Sequence, residues 1–224
     1  MIFGMKHSRD MVRSSVQQTL CAVSLGLLSM LANAPAWAWS LDDLMTQLAS
    51  HPTGQASFTE TKHLEMLDEP VVSSGTLLYS PPDRLEKTTL LPKREALVLE
   101  RDRLSVESNG RKHELRLNQY PEVASIVEAI RGTLMGDKTL LQRYYGLQLS
   151  GSEARWRLVL TPADERTQRW VTQIYISGQH NQVTRIETLQ SDGDRSIMNI
   201  QPERTDAAKN AQAPQKPGTP RAVK

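Results

Sequence analysis

Between Ser73 and Leu91 the chain reads SSGTLLYSPPDRLEKTTLL, and apolar and polar residues alternate on both sides of a proline corner. Leu77 and Tyr79 precede the corner, and Leu85, Lys87 and Thr89 follow it. A period of two suits a strand with one apolar and one wet face, not a helix. Pro81 has no N–H to give to a ladder, and Pro81-Pro82-Asp83 is a turn with a mechanism. The stretch is therefore two strands and a corner, and stretches like it fill most of the chain.

Strands are predicted near 55–66, 72–80, 84–91, 95–100, 103–108 and 111–117, and again near 145–150, 154–161, 169–177, 182–190 and 195–200. Asn109-Gly110 is the clearest hairpin, because both residues tolerate positive φ and suit a type I′ turn. Arg101-Asp102, Gly151-Ser152, Gly178 to Asn181 and Asp192-Gly193 mark further turns. Trp156, Leu158 and Leu160 alternate with Arg155, Arg157 and Val159, and Ile174 and Ile176 flank Tyr175.

Two segments change period. Ser40 reads as a helix N-cap with Asp43 at the capping-box position. Leu41, Leu44, Met45 and Leu48 then form one apolar face of a helix that His51-Pro52 ends. Between the two groups of strands, Val123, Ile126, Val127, Ile130 and Leu134 mark a helix over 121–135, with Pro121 suited to its first turn. Gly136 interrupts it, and Asp137 caps a second short helix through Tyr144. Hairpin-length links imply antiparallel pairing, and a sheet this large should curl rather than lie flat. The helices are amphipathic and have only its concave side to bury against. The expected fold class is mainly β with α, an incomplete antiparallel β-barrel of about eleven strands with helices covering the concave face.

The ends carry a different signal. Lys6, Arg9 and Arg13 precede an apolar run from Leu20 to Leu31, too short for a comfortable span, and Ala36-Trp37-Ala38 is an A-x-A cleavage site. Residues 1–38 therefore read as a signal peptide cleaved after Ala38, with cleavage after Ala36 or an uncleaved anchor as alternatives. The sole cysteine, Cys21, leaves with it, so disulfide and thiolate metal sites are excluded from the mature chain. The expected address is the periplasm. Without residues 1–38 the basic and acidic residues balance at 24 each, which argues against a nucleic-acid partner. The expected body is 39–201; residues 202–224, poor in apolar side chains, read as a disordered tail. From Glu203 onward the tail carries a net charge of +3, leaving −3 on the body. The tail suits either a solvated spacer or a weak tether to anionic lipid.

Motifs for catalysis are missing. His51, His63, His113 and His180 fall on different elements, and none has metal-ligand spacing on a helix. There is no G-x-S-x-G elbow, phosphate loop or G-x-G-x-x-G. Asp192-Gly193-Asp194 reads as a hairpin turn rather than a cation site, and Glu60, Glu65, Asp83 and Glu86 as the wet face of strands rather than an acid/base pair. No cofactor and no enzymatic activity are expected. The apolar strand faces and the helices either fill one another as a core or leave a cavity for an acyl chain. Met45, Met66, Met135 and Met198 would suit such a cavity, being flexible and unbranched.

Ala56-Ser57-Phe58-Thr59 with Glu60 and Lys62, then Gly75-x-Leu77-x-Tyr79, the proline corner and the closing strand, together with the order of elements over roughly 40–200, resemble the periplasmic lipoprotein carriers of the LolA type. The resemblance implies a half-barrel whose apolar cavity, closed by a helical lid, holds acyl chains during passage between membranes. The implied cargo is an acylated lipoprotein or other lipid, taken from an inner-membrane donor and given to an outer-membrane acceptor by a monomer. The residues expected along the cavity are Leu77, Tyr79, Leu85, Leu97, Leu99, Leu117, Leu158, Leu160, Ile174 and Ile176, with Ile126 and Ile130 on the lid. The carriers place an arginine immediately before the corner's proline; here Pro81 stands there, and Arg84 is out of register. The chain is also poorer in aromatics along these strands, as in a divergent branch serving other lipids. A lipid-sensing or regulatory module of the same fold is the alternative.

Overall fold

In the computed structural model, which describes residues 39–50 and 54–203, alternation becomes one antiparallel sheet and the helical periods become its lining. The elements are α1 (Leu41–Ala49), β1 (Gly54–His63), β2 (Val71–Ser80), β3 (Arg84–Leu91), β4 (Glu95–Glu100), β5 (Arg103–Ser108) and β6 (Arg111–Arg116), then α2 (Pro121–Met135) and α3 (Lys138–Tyr144). After them come β7 (Tyr145–Ser152), β8 (Arg155–Pro162), α4 (Glu165–Gln168), β9 (Val171–Gln179), β10 (Gln182–Gln190) and β11 (Arg195–Pro202). The expected signal peptide over 1–38, the expected His51-Pro52 stop and the chain beyond Glu203 lie outside the described residues.

The order across the sheet is β6-β5-β4-β3-β2-β1-β11-β10-β9-β8-β7. Each group of strands is a meander, and the first strand joins the last: Phe58 pairs with Ile200 and Glu60 with Met198. The free edges are β6 and β7, the two strands that flank the helical insert. The sheet is thus an incomplete barrel, and α2 and α3 bridge its edges across the concave side.

Local chemistry explains the boundaries. The Ser40 hydroxyl accepts from the Asp43 N–H at 3.2 Å, and the Asp43 carboxylate accepts from the Ser40 N–H at 2.8 Å, the reciprocal capping box. Asn109 (φ 54°) and Gly110 (φ 71°) make the hairpin turn. Gly136 ends α2 in the left-handed region at φ 65°, and the Asp137 side chain caps α3 by accepting from Leu140 N–H. The Asp192-Gly193-Asp194 segment is a turn, in which Asp194 N–H donates to the Asp192 side chain.

Several boundaries differ from expectation; β7 and β11 each run two residues further, to Ser152 and Pro202. β1 stops at His63, and Met66, expected to suit a cavity, sits in the following loop, 87% exposed. β6 stops at Arg116, so Leu117 falls in a 3₁₀ turn, Leu117–Gln119. β9 starts at Val171 rather than near 169, because Asp164 caps the short α4, accepting from Thr167 N–H at 3.0 Å.

Register makes one face continuous. Leu97, Lys87, Leu77, Ala56 and Pro202 lie side by side across five strands. On the other wing, Trp156, Leu158 and Leu160 stand opposite Gly178, Ile176 and Ile174. The packed core belongs to that second wing: Leu44, Met45 and Leu48 of α1, Ala129 of α2 and Leu141 of α3 cluster with Tyr145, Trp156, Leu158, Leu160, Ile174 and Ile176. Trp156 is fixed there by its indole N–H, which donates to the His180 carbonyl at 2.8 Å.

Candidate functional site

The helices fill only one wing of the concave face. Over the other wing, between α2 and strands β1–β5 and β9–β11, remains a cavity of about 570 Å³. That is the size of a small-molecule site rather than a packing defect. Helix α2 forms the boundary. Its Ile126 and Ala129 pack into the core, while Val127, Ile130 and Leu134, on the adjoining stripe, line the cavity. The rim is polar, with Gln55, Asn181, Gln182 and Glu203 around the opening.

Seven of the twelve residues expected along an acyl cavity stand along this one: Leu77, Tyr79, Leu85, Leu97, Leu99, Ile130 and Ile176, the last of which also belongs to the packed core and borders the cavity from there. The other five do not. Leu158, Leu160 and Ile174 are at most 1% exposed and are covered by the core. Ile126 packs against the same core from α2. Leu117 is buried in the 3₁₀ turn below the start of α2. Alternation marks a residue as concave-facing; it does not say whether a helix covers it.

Sequence reasoning missed Ala56, Leu104, Val127, Leu134, Val183, Ile186 and Ile200 on the cavity wall. For Val127 and Leu134 a signal existed, since they share the Ile130 stripe at i, i+3 and i+7. For Ile200 the needed fact was the β1–β11 pairing. Of the methionines, Met198 is at the wall and Met45 is in the core.

A cation interrupts the apolar wall. Lys87 lies on it with its ammonium 5.0 Å from the centre of the Phe58 ring, and donates to Glu60 at 2.5 Å. The Glu60 side chain is 7% exposed and also accepts from the Ser196 hydroxyl at 2.7 Å. Burial pushes the Glu60 carboxyl up. The Lys87 hydrogen bond and charge, the Ser196 bond and the charge of Lys62 together outweigh burial and hold it below the usual carboxylate range.

Helix α2 is tied to the sheet by its own arginine. Arg131 of α2 donates to the Arg101 carbonyl in the β4–β5 turn at 2.7 Å and to Glu128 at 2.7 Å. Arg84, near the corner, instead pairs with Glu86 at 2.8 Å and Glu100 at 3.7 Å. The Tyr79 phenol lies 3.5 Å from the Pro82 carbonyl, and burial raises its pKa. Among the described residues no three His, Cys, Asp or Glu side chains gather to hold a metal ion. No helix among them is long and apolar enough to cross a membrane.

The family model described as outer membrane lipoprotein carrier protein LolA-like matches residues 33–218. No curated protein sequence matches the chain. Among solved structures, a LolA superfamily protein from Nitrosomonas europaea aligns at 12% identity and a TM-score of 0.39, over 70% of this chain and 89% of that one. The Pseudomonas aeruginosa MucA/MucB complex aligns at 16% identity and a TM-score of 0.42, over 78% of this chain and 61% of that one. The Mycobacterium tuberculosis lipoprotein LppX aligns at 10% identity and a TM-score of 0.40, over 71% and 92%.

Proposed function

We propose, for a chain that belongs to the LolA-like outer membrane lipoprotein carrier family, that the cavity under α2 binds the acyl chains of a lipoprotein or other lipid and shields them from water on the way from inner to outer membrane. The observation that carries this reading is the apolar cavity itself, about 570 Å³ between helix and sheet, with leucine and isoleucine side chains on both walls. Each methylene moved into such a space contributes about 0.8 kcal/mol. A dozen methylenes therefore supply roughly 10 kcal/mol before the costs of ordering the chain. Binding and release suffice for transport, and no covalent step is required.

In this reading residues 1–38 direct export and are removed, the body works as a monomer in the periplasm, and the tail, whose expected start at 202 falls on the last residue of β11, is a spacer beyond Glu203. Release requires α2 to swing from the sheet or an acceptor to offer more apolar contact. The Arg131 ties at the β4–β5 turn are the contacts such a movement breaks first.

The test is native mass spectrometry of the 39–224 chain purified without detergent, followed by titration with a fluorescent fatty acid. A co-purifying lipid or lipopeptide and saturable uptake are expected. Ile130→Trp and Leu97→Trp, which narrow the cavity, should each weaken uptake about tenfold, ~1.4 kcal/mol, whereas Lys112→Trp on edge strand β6 should not. A clean protein that takes up no fatty acid, or uptake indifferent to both cavity variants, would refute the carrier.

A further inference from the structure

The opposite, convex face of β8–β11 carries a second concavity, polar rather than apolar. Arg157, Tyr175, Ser177, Arg185, Glu187 and Arg195 line a cleft of about 360 Å³. Register builds it. Arg157 pairs with Ser177 and Ser177 with Arg185, so two arginines flank a small residue across three strands. At ~4.8 Å per strand their backbones stand about 10 Å apart, and both side chains are long enough to lean over the serine between them.

The guanidinium groups are held in place. That of Arg157 stacks on the Tyr175 ring, 4.1 Å from its centre, and the Tyr175 hydroxyl is itself anchored on Gln173. Arg195 donates to Glu187 at 3.0 and 2.7 Å. Arg185 lies 3.6 Å from the same carboxylate and donates to Asn199 at 3.1 Å. Glu187 is 7% exposed, so its position is set by packing. Two guanidiniums thus share one carboxylate, and the third, that of Arg157, has no carboxylate partner among the described residues. This positive cleft sits on a body whose formal charge is −3. Scattered surface charge does not require such a concentration.

We propose that the convex cleft binds a phosphate group, with Arg157 and Arg185 gripping its oxygens from two sides and the Ser177 hydroxyl donating from the floor. A phosphate dianion matches the cleft's excess of two positive charges. Its tetrahedral oxygens accept donors from several directions, which a flat carboxylate does not, and each guanidinium has five N–H groups, so those not on Glu187 or Asn199 remain to donate. The volume leaves room for a small organic substituent, as in a phospholipid headgroup or a soluble phosphate ester. The cleft and the acyl cavity lie on opposite faces of the sheet, so this site stands independently of the carrier reading.

The experiment is an NMR titration of the arginine Nε–H signals of the 39–224 chain with inorganic phosphate, paired with flotation on vesicles of phosphatidylglycerol in phosphatidylcholine. Saturable shifts of Arg157 and Arg185 with inorganic phosphate, weakened about tenfold in Arg157→Gln and in Arg185→Gln, support the site with soluble phosphate as a sufficient source. Flotation lost in both variants, with no saturation by inorganic phosphate, supports it with a membrane headgroup as the source. Arg157→Lys keeps the charge but not the stacked planar fork. Phosphate or vesicle binding as tight as in the unaltered protein would mean a mere charge patch and would overturn the proposal. So would the absence of both kinds of binding, indifference to the glutamine variants, or polyglutamate binding as tightly as phosphate, which would assign the cleft to an acidic protein partner.

Discussion

Replacing Glu60 strands the Lys87 cation on the cavity wall. The carboxylate, 7% exposed, accepts from Lys87 at 2.5 Å and from Ser196 at 2.7 Å, while Lys87 is 21% exposed. Removing one member of a buried pair costs about 3–5 kcal/mol. Lys87 keeps a fifth of its exposure and can lean toward water along its methylene stem, so Glu60→Gln should cost less, about 2–3 kcal/mol. Lys87→Met leaves a more deeply buried charge and should cost about 3 kcal/mol at neutral pH. In the double variant an amide still bonded to Ser196 faces a methionine that suits the apolar wall, and the loss should shrink to about 1–2 kcal/mol. The two changes together then cost roughly 4 kcal/mol less than their sum. Urea unfolding with an unchanged slope measures this directly. Additivity within about 0.5 kcal/mol would show that the pair is not coupled and that the reasoning is wrong. The pair also has a pH signature. The Glu60 pKa is lowered in the folded state, so its stabilisation is complete above the unfolded carboxyl value of 4.5 and is lost as pH falls through the lower folded value. Glu60→Gln should flatten that acid limb.

Three further outcomes follow from the same geometry. Burial pushes the Tyr145 phenol up to about 12, above its ordinary value of 10.0, against a smaller opposing contribution from Ser125; stability should therefore fall as pH rises from 10 toward 12, and Tyr145→Phe should remove that alkaline loss, whereas an ordinary titration in the folded protein would contradict it. At Gly136, φ is +65° and an added Cβ would stand 2.0 Å from the Met45 carbonyl oxygen; Gly136→Ala must separate α1 from α2 as well as strain the backbone, at about 3 kcal/mol or ~6 °C or more in melting temperature, and a loss under ~2 °C would refute the close approach. Arg131→Met removes the bonds to Arg101 and Glu128; amide exchange over α2 should quicken about tenfold while β8 is unchanged, and uniform quickening would show that the tie is not local to the lid.

What the chain alone determined was written at short range. The period of two marked all eleven strands, and the helical period marked α1 and α2. Ser40 with Asp43, Asn109-Gly110 and Gly136-Asp137 placed caps and turns, because capping and turn conformation depend on residues a few positions apart. The resemblance carried by Ala56 to Thr59 and by Gly75 to Tyr79 pointed to the family that the match over 33–218 shows. Only the tertiary structure decided what each strand face meets. Leu77 and Leu97 alternate just as Leu158 and Leu160 do, yet the first two line a cavity and the last two are sealed under α1 and α3. The difference lies in how α1, α2 and α3 crowd one wing, a consequence of contacts among helices remote in sequence. Ile200 and Met198 reach the cavity through the pairing of the first strand with the last, and Arg157, Arg185 and Arg195 meet on the convex face from three different strands. Local periodicity tells a side chain which face of the sheet it takes; long-range pairing and helix packing decide its neighbours there, and those neighbours separate core from cavity and scattered charge from a site.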